Sequence, residues 1–268
     1  MSENEDRAQE LAAAFRENHG LGLSPVKDVF ELVHTAARVD VLSMEASEAE
    51  HGLSMLDPAT GRVVIAVATT RNPMRQRSSV AHELGHVLAG DLQRPDVVRP
   101  GERTPAETRA DAFARHLLLP VEAVRSRLAA ADQVSIADLS ELVQEFEVSP
   151  QIASIQMRTA GLISAATCSE WREQSTLTLA ARFGWRSQYR TLAAAAEEPR
   201  APQSLMTRAV EGYRQGALGI AELASWYGQG TEELRAEIGP QPEPEPGLDD
   251  AWDTDAPLFP EDMRNRAS

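Results

Sequence analysis

The sequence has one cysteine, one lysine and no long apolar run. A single cysteine in 268 residues excludes an internal disulfide. No apolar run approaches the roughly 18 to 20 residues that a membrane-spanning helix needs. Residues 1–20 also lack the basic segment followed by an apolar segment that is typical of a secretory leader. We therefore expect a cytoplasmic protein that does not span a membrane.

Positive charge is also scarce. The chain has 26 basic and 41 acidic side chains, a formal net charge of −15, which argues against broad binding to nucleic-acid phosphates. The acidity is concentrated at the ends, because residues 1–50 hold 11 acidic and 4 basic side chains and residues 240–268 hold 8 and 2. The remaining 22 acidic and 20 basic side chains nearly balance. The acidic ends could therefore attract a cationic partner that itself binds DNA.

Apolar periodicity and turn residues predict an α+β fold. Helices are expected within the first forty residues, where apolar residues recur at helical spacing. Further helices are expected at about 79–89 and 105–119, since glycine and proline mark their ends. Strands are expected at 39–43 and at 61–69, the second of which is rich in β-branched residues. Helices, then a small antiparallel sheet, then more helices is an order typical of α+β proteins.

The second half of the chain is predicted to be helical. Residues 135–163 predict two short amphipathic helices joined by a turn, which resembles a helix-turn-helix. A linker is predicted at 193–204, followed by a further helical pair at about 205–238. The acidic, proline-rich composition of residues 240–268 is typical of a disordered tail.

The most informative motif is His82-Glu83-Leu84-Gly85-His86, which has the form H-E-x-x-H. Side chains four residues apart project from one face of a helix, so both imidazoles can bind one metal ion. Glu83 lies about a quarter turn from His82, where it can deprotonate a water on the metal without being a ligand. The alternative is a pair of surface histidines on an amphipathic helix. A catalytic zinc site also needs a third protein ligand.

Glu107 is the candidate third ligand. Glu107 and Asp111 lie four residues apart on one helical face, where two carboxylates repel each other unless a cation is near. We expect Glu107 to bind zinc and Asp111 to accept the outer N–H of a ligating histidine. Alternatively, Glu107 can close a capping box with Thr104, and Asp111 can pair with Arg115. His116 lies half a turn from the face of Glu107 and is expected to be a packing or surface residue.

Together these motifs resemble the ImmA/IrrE family of metallo-endopeptidases. The matching pieces are residues 81–86, which read A-H-E-L-G-H, and residues 107–120, which follow the pattern E-x-x-A-D-x-F-A-x-x-L-L-x-P. The resemblance implies a gluzincin-like site with one zinc ion per chain and Glu83 as general base. The zinc ligands that it implies are His82, His86 and Glu107. It also implies a substrate class, which is transcriptional repressors of the Cro-like helix-turn-helix type, cleaved to derepress genes of a mobile element or a stress response.

The chain is expected to have four parts, and one strand of the N-terminal part is expected to lie beside the catalytic cleft. The strand around residues 63–67 is expected to pair with an extended substrate by strand addition. The helix-turn-helix-like segment has four acidic side chains against one basic side chain within residues 135–163, so we favour packing or protein recognition over DNA binding. The predicted parts are a metallopeptidase domain at 1–132, the helix-turn-helix-like segment at 133–165, a C-terminal helical region at 166–239 and the tail at 240–268.

Two other functions fit the sequence. One is a non-hydrolytic regulator that binds a repressor or DNA through its helical C-terminal half and uses zinc for structure. The other is an antitoxin-like protein that pairs with the product of a neighbouring gene. Cleavage of a helix-turn-helix protein that depends on Glu83 would separate the peptidase hypothesis from both.

Overall fold

The structure is a computed structural model, which describes residues 3–46, 52–57, 61–93 and 104–241. It divides into two compact units, Met1–Ser204 and Leu205–Ser268. The boundaries predicted at residues 132, 165 and 239 stay predictions, and the predicted disordered tail lies outside the described residues except for its first two. Within the described ranges, no helix combines the length and the apolar character needed to cross a bilayer.

In the first unit, two helices precede a small sheet and further helices follow it. This arrangement confirms the predicted α+β class. In chain order the elements are α1 Glu3–Asn18, α2 Val29–Ala37, β1 Asp40–Met44, β2 Gly52–Leu56, β3 Val63–Ala68, α3 Pro73–Ala89, a 3-10 turn Asp91–Gln93, α4 Pro105–Leu118, α5 Val121–Arg127, α6 Ile136–Phe146, α7 Pro150–Thr159, α8 Ala165–Arg172, α9 Thr176–Arg182 and α10 Arg186–Glu197.

The sheet is mixed, so the predicted antiparallel sheet is wrong for one strand pair. The strand order is β1-β3-β2. β3 runs antiparallel to β2, with Ala66 opposite Leu53, and parallel to β1, with Ala66 opposite Leu42. The chain reverses between β1 and β2 and again between β2 and β3, so β1 and β3 point the same way. Because β3 then inserts between the two earlier strands, its pairing with β1 must be parallel.

Residues 198–204 cover the outer edge of β1. Ser43 and Arg200 exchange backbone hydrogen bonds of 2.9 and 3.0 Å. The linker predicted at 193–204 is therefore wrong in its first part, which belongs to α10, and its second part is attached to the sheet. In the described part of the chain, β2 is an edge strand that pairs with another strand on one side only.

The core of this unit fixes α3 and α4 relative to each other. α4 packs against α1 and against α3. Ala8 and Ala12 of α1 are fully buried, and their small side chains let α1 approach its neighbours closely. Ile65 of β3, Leu84 of α3 and Phe113 of α4 are also fully buried. A densely packed interior of this kind resists displacement of either helix.

A buried ion pair attaches the helices α6 and α7 to α3. Glu147, which lies in the turn between them with φ 52°, places a carboxylate oxygen 3.1 Å from Arg77 of α3. The Arg77 guanidinium also donates to the carbonyls of Glu147, Lys27 and Val26. Burial lowers the pKa of Arg77, although the charges of Glu147 and Asp28 oppose this shift. A buried charge is costly unless it is paired, so this turn is held against α3.

The second unit has a small core of its own. Tyr213, Leu223 and Leu234 are buried within it, and the Tyr213 hydroxyl donates to the carbonyl of Gly239 at 3.1 Å. The further helical pair that the sequence predicts in this part of the chain appears as three helices. They are α11 Gln203–Arg214, α12 Ile220–Tyr227 and α13 Thr231–Ile238.

Candidate metal centre

Helix α3 presents the two histidines of the H-E-x-x-H motif. It begins at Pro73, earlier than predicted, because the side-chain oxygen of Asn72 accepts the N–H of Arg75 at 3.2 Å and proline fits the first helical position. The rings of His82 and His86 meet edge to face, with their centroids 4.8 Å apart and their planes inclined by 71°. Their Nε2 atoms are 3.1 Å apart. Both imidazoles therefore face the same point in space.

Helix α4 brings the third predicted ligand to this point. The hydroxyl of Thr104 accepts the backbone N–H of Glu107 at 3.2 Å, which fixes the start of the helix. The carboxylate of Glu107 instead faces the imidazoles, with one oxygen 3.2 Å from His82 Nε2 and the other 3.3 Å from His86 Nε2. Of the two roles considered for its carboxylate, the side chain of Glu107 therefore takes the one at the imidazoles, while Thr104 caps the helix through the Glu107 backbone.

Gly85 permits the close approach of α3 and α4 that this geometry requires. A Cβ atom at Gly85 would lie 3.0 Å from Cδ1 of Phe113 and 3.2 Å from Cα of Ala110. Both distances are shorter than ordinary van der Waals contact, which begins near 3.4 Å. Glycine inside the motif thus lets α4 lie close enough to α3 for the carboxylate of Glu107 to reach the imidazoles.

Each imidazole is held from behind by a carboxylate. His82 Nδ1 lies 3.0 Å from an oxygen of Asp111, the residue expected to accept its N–H. His86 Nδ1 lies 2.9 Å from an oxygen of Asp91, a residue that the sequence analysis missed. The signal that could have found it is Gly90-Asp91 directly after the helix. Gly90 ends α3 with φ 75°, and this reversal turns the next side chain back toward the last helical turn.

The resulting arrangement suits a cation. A carboxylate accepts hydrogen bonds, so in the neutral form of each imidazole this contact places the proton on Nδ1 and leaves a lone pair on Nε2. The two Nε2 atoms and the Glu107 carboxylate are then three acceptors that face one another. Their ligand atoms all lie within 4.8 Å of each other, and two imidazoles with one carboxylate form a donor set used by catalytic zinc sites. The cluster is compatible with a metal ion.

The acidic side chains around His82 also change its pKa. Burial lowers this pKa, but the hydrogen bond with Asp111 and the negative charges of Asp111, Glu83 and Glu107 outweigh it, so the pKa is raised above its ordinary value. The surroundings of His82 therefore favour a positive charge.

Glu83 lies against the beginning of β2. Its side chain is buried, and a Cβ atom at Gly52 would lie only 2.8 Å from its Oε1. The glycine thus leaves the space that the carboxylate of Glu83 occupies. This contact places the first residue of the edge strand β2 beside the proposed general base.

Two other expectations concern neighbouring surfaces. The strand around residues 63–67 was expected to accept an extended substrate, and this is wrong because β3 already has a partner on each side.

In α7, the helix that would read DNA in a helix-turn-helix, Ser154 and Gln156 are fully buried while Gln151 and Arg158 are exposed. The polar side chains that α7 offers to a nucleic acid are therefore few.

His116 lies away from the cluster in a buried polar network. Its Nε2 is 2.9 Å from Glu5 of α1, and its Nδ1 is 3.3 Å from Nε2 of Gln156. Glu5 also accepts a hydrogen bond of 2.7 Å from Arg115. The hydrogen bond with His116 and the charge of Arg115 outweigh burial and lower the pKa of Glu5 to about 2. His116 thus joins α4 to α1 and α7, as expected of a packing residue.

Comparison with known proteins identifies one family. Residues 36–158 match the family model Peptidase_M78, described as the IrrE N-terminal-like domain. The matched residues include the H-E-x-x-H motif of α3 and Glu107 and Asp111 of α4, so the predicted resemblance to the ImmA/IrrE family is confirmed. No curated protein matches the chain.

Proposed function

Because the chain carries an IrrE N-terminal-like domain of the Peptidase_M78 family, we propose that it is a zinc-dependent endopeptidase. The observation that carries this proposal is the convergence of His82, His86 and Glu107, with both outer ring nitrogens held by carboxylates. One zinc ion per chain fits this donor set, because two imidazoles, one carboxylate and an open fourth position are typical of catalytic zinc.

A bound zinc ion would supply Lewis-acid chemistry, which polarises a peptide carbonyl and makes a water molecule more acidic. Glu83 acts as the general base, since it adjoins His82 in the helix without being one of the three ligands. It takes a proton from the attacking water and delivers it to the nitrogen of the leaving amine. Asp111 holds His82 in the tautomer whose Nε2 is free to bind metal.

The substrate is expected to lie along β2. In the described part of the chain this strand pairs with another strand on one side only, whereas the outer edge of β1 is bridged by Arg200. An extended peptide can add to such an edge through backbone hydrogen bonds. Because Gly52 adjoins Glu83, a peptide on this edge would pass close to the general base. A flexible or unfolded segment of a protein fits this geometry better than a folded surface does.

A Cro-like helix-turn-helix repressor is the proposed substrate, and its cleavage would derepress the genes that it controls. The family resemblance supports this choice, and so does charge. The net charge of −15 favours association with a cationic, DNA-binding protein. The buried polar side chains of α7 and the excess of acidic residues in the same region support recognition of a protein rather than of DNA itself.

Cleavage of a Cro-like repressor encoded beside this protein, where there is one, tests the proposal. The purified full chain should contain one zinc ion and cut the repressor at a defined bond. Glu83→Gln should retain zinc and lose cleavage, because it keeps the shape of the side chain and removes the base. Glu122→Gln is a matched control on α5, where the side chain is 56% exposed, and should cut normally. If the zinc-loaded wild type leaves the repressor intact under inducing conditions, this substrate is wrong, and a non-hydrolytic regulator becomes the better account.

A further inference from the structure

Asp91 is placed by the end of α3 itself. The N–H of Gly90 bonds to the carbonyls of His86 and Val87, and the left-handed conformation of Gly90 reverses the chain. The next residue, Asp91, begins the 3-10 turn. Its Oδ2 lies 2.9 Å from Nδ1 of His86. The side chains of His86 and Asp91 are only 12% and 25% exposed, so solvent competes little for this hydrogen bond.

Arg109 fixes the other oxygen of the same carboxylate. It lies on α4, two residues after Glu107, and donates to Oδ1 of Asp91 at 2.6 Å. Its side chain is 17% exposed. Asp91 therefore uses one oxygen for the imidazole of α3 and the other for the guanidinium of α4. A carboxylate bonded at both oxygens has little freedom to rotate, so its direction toward His86 is set.

We propose that Asp91 is a positioning residue for the metal site and that Arg109 acts through it. Asp91 keeps the proton of His86 on Nδ1 and aims the Nε2 lone pair at the point that His82 and Glu107 also face. It does for His86 what Asp111 does for His82. This inference rests on the proposed function, because it assumes that the cluster binds a metal.

Asp91 differs from a member of an ordinary ion pair because one of its oxygens bonds an imidazole and the other bonds a guanidinium. A salt bridge that only joined α3 to α4 would not need a hydrogen bond to an imidazole. The pair Arg115 and Glu5 provides the contrast, since it also joins α4 to another helix at 2.7 Å with side chains 17% and 19% exposed. Arg115 is therefore a matched control, because it has the same length and burial but lies outside the metal cluster.

The zinc affinity of the full chain tests the proposal, measured by competition with a chelator of known affinity. Asp91→Ala should bind zinc about 10- to 100-fold more weakly than the wild type, the range typical of carboxylates that hold a metal-bound histidine. Asp91→Asn keeps an acceptor oxygen and the side-chain shape, so its loss should be smaller. Arg109→Gln should weaken binding in the wild type but change nothing further when combined with Asp91→Ala. Arg115→Gln should bind zinc as the wild type does.

Thermal unfolding of the metal-free variants separates positioning from stability. We expect the zinc affinities to fall in the order wild type, Asp91→Asn, Asp91→Ala, while Arg115→Gln loses stability and keeps its affinity. The proposal is overturned if Asp91→Ala and Asp91→Asn both bind zinc within twofold of the wild type, or if affinity follows melting temperature across all variants, including the control. If the wild type binds no zinc, the proposed function itself fails, which is a different result.

Discussion

Replacement of Gly85 by alanine tests the crossing of α3 and α4 on which the metal centre depends. The added Cβ atom would lie 3.0 Å from Cδ1 of Phe113 and 3.2 Å from Cα of Ala110, which is 0.4 and 0.2 Å inside the ordinary contact limit of 3.4 Å. Phe113 is fully buried, and the second atom belongs to the backbone. The Cα atom cannot move without moving α4, and the buried ring of Phe113 has little room to turn.

Two opposing effects determine how far the Gly85→Ala substitution changes the free energy of unfolding. Alanine gains about 1 kcal/mol over glycine in the interior of a helix, whereas overpacking of a close-packed interior costs about 1–3 kcal/mol. We therefore expect the free energy of unfolding of the Gly85→Ala variant to fall by about 0–2 kcal/mol. Because metal coordination tolerates ligand displacements of only about 0.2 Å, the shift of Glu107 should also weaken zinc binding by about fivefold, or roughly 1 kcal/mol.

Denaturant unfolding of the metal-free protein and a zinc competition titration measure the two effects. Gly212→Ala is the control, because a Cβ atom there would lie 3.8 Å from the nearest side chain, Leu218, in ordinary contact. The control variant should be up to about 1 kcal/mol more stable and bind zinc unchanged. If Gly85→Ala stabilises as much as the control and keeps its zinc affinity, the close approach of the helices has no role in building the site.

Three further predictions follow from other contacts. Gly52→Ala should reduce peptide hydrolysis about tenfold to hundredfold, because the new Cβ atom would displace the carboxylate of Glu83. Its zinc content should be unchanged, and a normal rate of hydrolysis would contradict this prediction. Folding lowers the pKa of Glu5 from 4.5 to about 2, so its ionised carboxylate stabilises the folded state. Above pH 4.5 the free energy of unfolding of the wild type should therefore exceed that of Glu5→Gln by about 1–2 kcal/mol. This difference should disappear as the pH falls toward 2. Arg77→Ala should lose about 3–5 kcal/mol in denaturant unfolding, because the buried carboxylate of Glu147 loses its partner, and the double variant Arg77→Met, Glu147→Gln should recover part of this loss.

The residues of the cluster could be predicted from the sequence because helical geometry is local. The spacing of His82 and His86 places both imidazoles on one face wherever that helix lies in the fold. Glu107 and Asp111 were identified because two carboxylates on one face need a cation. Asp91 was missed because its contact with His86 depends on the left-handed turn at Gly90, which periodicity does not reveal.

The sheet shows where local patterns stop being informative. The apolar, β-branched run of β3 predicted a strand, but nothing in that run says which strands lie on either side of it. The parallel pairing with β1 follows from the order in which the strands insert. β2 has largely exposed residues and no strong alternation, so it gave no strand signal. Its importance comes from a tertiary contact, that of Gly52 with Glu83.

Zinc bound to His82, His86 and Glu107 is the central claim, and anomalous X-ray scattering tests it most directly. Crystals of the zinc-loaded full chain should be measured on both sides of the zinc absorption edge. The account predicts one strong anomalous peak about 2.0–2.2 Å from Nε2 of His82, from Nε2 of His86 and from a carboxylate oxygen of Glu107. A zinc peak bound by other residues, with no peak between these three side chains, would contradict it.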